Sequence, residues 1–142
     1  MAGPEVFDSP YYQSRDLRER IVTVLQGVSE RRGLRLEAYR SRALPRHSIH
    51  ELMLTDEAAG PGDTVMRVAL SCFFEVEQQG VLLIGSEVYA GDLRLGVVAG
   101  FDETHMPNHQ NICLRSDSLV DGKSAGIEVE GVVEFRFSQA DS

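Results

Sequence analysis

The chain has 142 residues, 42% of them hydrophobic and 25% charged, with a formal net charge of -8; that profile fits one globular domain able to bury a core without disulfide or metal staples. The acidic excess argues against general nucleic-acid binding, which needs a basic stripe, and against docking on anionic membranes. No apolar run approaches the roughly 20 residues of a membrane-spanning helix, and the first residues lack a signal peptide's positive region and apolar core, so a cytoplasmic protein is expected.

Residues 1–13 read as an arm, broken by Pro4 and Pro10 and offering Phe7, Tyr11 and Tyr12 for docking. A helix is expected from Ser14 to Arg32. Leu17, Ile21, Val24, Leu25 and Val28 fall at helical spacing as one apolar stripe, and Gly33 is placed to end it. Gly27 and the β-branched Val22, Thr23 and Val24 count against helix propensity. The early arginines, Arg15 to Arg46, read as a solvated surface.

From Leu34 the pattern changes to period two, with Leu34, Leu36 and Ala38 alternating with Arg35, Glu37 and Tyr39. Ile49 to Thr55 reads as a strand, and Asp56 to Asp63 is turn chemistry. Thr64 to Gln78 is the longest strand candidate, long enough to require a bend or bulge. Gln78-Gln79-Gly80 suggests a hairpin into Val81 to Tyr89. Leu93 to Phe101 and Asn111 to Arg115 read as further strands, Asp121-Gly122 as a sharp turn, and Ile127 to Ser138 as a half-buried antiparallel strand. The expected fold is α+β: an N-terminal helix packed on a strongly bent antiparallel β-sheet or small β-barrel, with residues 14–142 forming a single domain.

One stretch concentrates polar chemistry. Between apolar flanks, Gly100 to Asn111 gathers two acids, two histidines, two asparagines, a threonine and a glutamine. His105 or His109 would be the general base or acid, since imidazole titrates near neutral pH, with Glu103 or Asp102 orienting it. Asn108, Asn111 and Thr104 would hold a ligand, the asparagines gripping a carbonyl or oxyanion. A divalent metal on His105, His109 and Glu103 is a further reading, with His47 and His50 as a second pair that folding could bring near. Pro107 and the strand-like flanks make a helix through His105 and His109 improbable. The plain alternative is that Asp102, Thr104, Asn108 and Asn111 satisfy backbone groups in an irregular connection.

Cys72 and Cys113 lie in apolar runs and read as inert core. Glu75, Glu77 and Glu87 read as a solvated strand face, and Tyr39 and Tyr89 as ordinary strand tyrosines. Two functions follow. The first is a small-molecule-binding β-barrel-like protein with its polar site at residues 101–111, acting as an enzyme if the histidines work as acid and base. The second is a non-catalytic homo-oligomer, a homodimer in its simplest form, suggested by adjacent Phe73 and Phe74 on opposite faces of one strand. Convergence of His105, His109 and Glu103 on a pocket would favour the first.

Overall fold

Leu17, Glu19 and Ile21 are buried in alternation with Arg18, Arg20 and Val22, so the segment expected to be helical is a strand. The computed structural model describes residues 15–137, and the N-terminal arm expected at residues 1–13 lies outside them. β1 spans Leu17–Val24 and β2 Val28–Ser29. The correction has a clear cause. Leu17 and Ile21, four apart, satisfy a helical stripe and a strand face equally well. What separates the two is Glu19 between them, which points inward, and the β-branched run Ile21 to Thr23, which suits a pleated sheet. Pairing on both flanks, with partners distant in sequence, then fixes β1 as a strand. Gly27, at φ 117°, turns the chain just before β2, and Gly33, at φ 66°, turns it four residues after Ser29 rather than capping a helix.

The remaining strands are β3 (Leu34–Arg35), β4 (Ser41–Leu44), β5 (Ile49–Thr55), β6 (Thr64–Val65), β7 (Val68–Glu75), β8 (Gly80–Leu83), β9 (Glu87–Ala90), β10 (Leu93–Asp102), β11 (Gln110–Arg115) and β12 (Val132–Arg136). Among the described residues one short helix, α1 (Gly122–Ala125), precedes β12. Eight strands form one sheet in the order β1-β12-β9-β10-β11-β5-β7-β2, and β1 also pairs with β7, which curls the sheet into a near-ring. The fold is thus nearly all-β. The sheet is mixed rather than wholly antiparallel, because β5 and β11 run parallel.

Three local expectations change with it. The long strand is interrupted after Val65, so that β6 pairs with β3 while β7 joins the ring. The expected hairpin at Gln78 to Gly80 does not form, since β8 pairs with β4. The last strand is short, because Glu130 at φ 73° bends the chain before Val132 and leaves Val129 exposed.

The ring encloses the main core, with Phe74, Phe101 and Phe135 its largest buried side chains. A smaller core lies on the outer face, where Leu34, Leu36, Val65 and Val68 cover Met53 and Cys113. Cys72 and Cys113 belong to different cores, on opposite faces of the sheet, and both are free thiols. Burial pushes both up to about 12, the expected behaviour of inert core cysteines.

Asp121 caps α1, accepting from Ser124 N at 2.7 Å and from Gly27 N at 2.8 Å, and so ties the helix to the turn after β1. Gly122 sits against the β7 backbone, where a Cβ would lie 2.0 Å from the Ser71 carbonyl oxygen. Gly122→Ala is therefore expected to destabilise the fold by roughly 2–3 kcal/mol, whereas Lys123→Ala on the exposed side of the same turn should change it by less than about 0.5 kcal/mol. Urea denaturation of the two variants against the parent chain checks both figures.

Candidate functional site

The parallel pair β5 and β11 decides where the polar residues meet. In register, Gln110 lies beside His50, and Asn111 beside Glu51. The end of β10 joins them through Asp102 opposite Asn111, and the end of β7 through Phe73 opposite Glu51 and Phe74 opposite His50. Side chains alternate across a strand, so one end of the ring carries two polar rows. Asp102, Asn111, Glu51 and Phe73 form the outer row. Gln110, His50 and Phe74 form the inner one. Residues 103–109, linking β10 to β11, cross this end.

On the outer row, Asp102 is fully buried. It accepts hydrogen bonds from the backbone N–H groups of Arg35 (2.8 Å) and Thr104 (2.9 Å), from Thr104 Oγ1 (3.0 Å) and from Asn111 Nδ2 (3.0 Å). Burial by itself raises this carboxyl, but the four bonds together hold it below the ordinary carboxylate value. Its lone pairs are spent on the fold, and Asp102 anchors the loop's entry. Asn111 is equally buried, and its Oδ1 has no hydrogen-bond partner.

Beside Asn111, Glu51 is only 5% exposed. Its Oε1 lies 3.2 Å from His109 Nε2, and His109 Nδ1 lies 2.7 Å from Asn108 Oδ1. Burial holds the Glu51 carboxyl above its usual range, and the nearby Arg32 and His109 oppose that rise without cancelling it. The His109 ring meets Phe73 edge-on at 5.0 Å and stacks on His105 at 5.1 Å between centroids. Arg32 Nη2 lies 3.1 Å from His105 Nε2. A carboxylate bonded to an imidazole, with the second ring nitrogen toward exposed Asn108, is an arrangement that can hold or move a proton.

The inner row has different chemistry. Tyr39 donates its hydroxyl hydrogen to Glu103, which also accepts from Arg42 Nη1 at 2.7 Å, and Gln110 Nε2 donates to Tyr39 Oη at 3.1 Å. Burial, then the Glu103 bond, raises the Tyr39 hydroxyl well above its ordinary value. Ser48 Oγ donates to the Pro45 carbonyl at 2.6 Å, so it accepts from His50 Nε2–H at 2.8 Å. His50 Nδ1 is then a buried lone pair without a partner, as is Gln110 Oε1. Burial lowers the His50 imidazole to about 4, helped by the positive charges of Arg42 and His109.

The structure therefore divides the residues singled out in the sequence. His105, His109, Asn108 and Asn111 gather on the outer row. Asp102 and Thr104 bond to each other at the loop's entry. Glu103 turns away to Tyr39 and Arg42. Among the described residues, no group of three or more His, Cys, Asp or Glu side chains is arranged to hold a metal ion. His47 pairs with Glu75 at 3.5 Å, apart from the inward-facing His50. A cleft of about 330 Å³ elsewhere, lined by residues that include Ile21, Leu93, Ile127 and Val132, contains none of the expected site residues.

Sequence reasoning passed over Glu51, Arg32 and Arg42. A signal for Glu51 was present: the pair His50-Glu51 interrupts the otherwise apolar strand Ile49 to Thr55, and charged groups within such a run need a partner. Nothing local marks Arg32, which meets His105 across 73 positions of sequence.

The model of a family of unknown function, DUF6917, matches residues 11–136. The chain belongs to the DUF6917 family. That match spans all the described strands and both polar rows. No curated protein and no solved structure matches the chain.

The buried His50 gives this DUF6917 member a defined acid response. In the folded chain the ring titrates near 4, against about 6.5 when unfolded. A depressed value favours the unfolded state as protons are added. The associated stability is present above pH 6.5 and is lost as the pH falls toward 4, by about 3 kcal/mol. Urea midpoints of the parent and His50→Gln chains should therefore converge or cross over that interval, with the parent falling more steeply.

Proposed function

We propose that the protein binds a small molecule at the outer end of β5 and β11, on the rim formed by Glu51, His109, His105 and Asn108. One observation carries the reading: the buried Glu51 carboxylate is bonded to half-buried His109 at the rim of the ring. Such a pair costs desolvation energy that a leucine and a phenylalanine would not, and chains keep it where chemistry uses it more often than where packing alone is needed. His109, backed by Glu51 at Nε2, exchanges a proton through Nδ1 when a bound molecule takes the place of Asn108 Oδ1 there. Glu51 orients the ring, and Asn108 offers an amide at the open side. His105 extends the same surface.

A homo-oligomeric reading has separate support. Phe73 and Phe74, which suggested it in the sequence, are both accounted for within the chain: Phe74 in the core, Phe73 against His109. Leu93 and Val132, however, are 44% and 40% exposed and border one cleft. Light scattering of the purified chain tests it. A monomer at all concentrations would dismiss this reading.

For the small-molecule site, the test is a melting-temperature screen of organic acids, amines, sugars and nucleosides. A ligand at about 100 times its Kd should raise the midpoint by roughly 5–10 °C. The shift should vanish in folded His109→Ala and shrink in Glu51→Gln. Stabilising compounds whose effect is the same in both variants would show that binding occurs elsewhere.

A further inference from the structure

We infer that the ligand of this site carries an oxyanion, and that Arg32 is the residue that binds it. The inference rests on the small-molecule reading above and narrows it.

Three arginines are half-buried: Arg20, Arg32 and Arg42. Two of them are locked to acids within the chain. Arg20 bonds Glu75, Glu77 and Glu130, and Arg42 bonds Glu103. Arg32 differs. Among the described residues it forms no ion pair, and its one side-chain hydrogen bond is to His105. A guanidinium has five N–H donors and no acceptor, so His105 Nε2 takes that bond with its lone pair. The His105 Nδ1–H is then a further donor, and most of the Arg32 fork is unspent.

A guanidinium whose N–H groups bond to no acid has donors to offer, and an oxyanion is its natural partner because two parallel N–H groups match two oxygens. Glu51 is the nearby acid, but its Oε1 is committed to His109. Arg32 is the strongest of the charges that oppose the rise of that carboxyl, ahead of His109, yet among the described residues none of its N–H groups bonds to it. The surroundings suit a small organic anion. Asn108 supplies an amide, and the stacked His105 and His109 rings supply flat surface. A carboxylate, sulfate or phosphate group seated on Arg32 would leave the rest of the molecule over His109.

The 142-residue chain, with its histidines isotopically labelled, would be titrated at pH 7 with sodium sulfate and separately with sodium acetate, using sodium chloride at matched ionic strength as reference. The His105 and His109 imidazole resonances should shift saturably with at least one oxyanion and not with chloride. Arg32→Gln should weaken that binding by about tenfold or more, the usual loss for a charge-assisted hydrogen bond, while Arg31→Gln at the exposed neighbouring position should leave it unchanged. A circular dichroism spectrum like the parent's would confirm that both variants fold. The inference is overturned if neither oxyanion gives a saturable response, or if Arg32→Gln responds like the parent. Should both oxyanions fail while an uncharged compound still perturbs His109 in a Glu51-dependent manner, the anion assignment falls and the small-molecule site stands. If no compound perturbs His109, both fall together.

Discussion

The parallel pairing of β5 with β11 is the constraint on which the candidate site depends. Every other pairing in the ring is antiparallel. In an antiparallel pair the start of one strand meets the end of the other. Here two strands start side by side, and each carries polar residues near its start: His50-Glu51 on β5 and Gln110-Asn111 on β11. Because β10 ends in Asp102 next to Asn111, the polar loop is brought to the same rim. Reversing β11 would set Asn111 against the apolar end of β5 and leave Glu51 without its imidazole.

Besides the two cysteines, four titratable groups are buried among the described residues, and the chain treats them differently. Asp102 is saturated with donors, so its charge is stabilised. Glu19 is half satisfied. Its Oε1 accepts the backbone N–H groups of Glu77 and Gln78 at 2.7 and 2.9 Å, its Oε2 has no partner, and burial raises it. His50 is held neutral by burial. Glu51 alone is joined to another titratable side chain that reaches the surface, since His109 retains some exposure. Asp102 and Glu19 thus serve the architecture. Glu51 connects the interior to a surface where a ligand can arrive.

The stretch from Phe101 to Asn111 was legible as the chemically dense part of the chain, because polar residues of many kinds cannot sit between apolar strands without a reason. Its internal division was not legible. Glu103 and His109 lie six positions apart in a loop without a fixed period, and only the folded path sends one to Tyr39 and Arg42 and the other to Glu51. The strand identity of Leu17 to Val24 was also hidden. A stripe at positions 17, 21, 24, 25 and 28 fits a helix face, and the alternation that decides the matter includes Glu19, a residue type that a reader of sequence places outside.

By itself the sequence determined that the chain is rich in strands from Leu34 onward, that both cysteines belong to apolar segments and that one loop holds most of the polar chemistry. These follow from local periodicity and composition, which act through neighbours a few residues apart. The tertiary structure alone decided that the first expected helix is a strand, that the sheet closes through β1 with a parallel pair at its polar rim, and that Glu51, Arg32, His105 and His109 meet. Each of those outcomes rests on pairings between segments distant along the chain, such as Glu51 with His109 across 58 positions. Contacts of that separation leave no periodic trace in the sequence, because they are selected by closure of the sheet and burial of its faces and not by any residue's own preference.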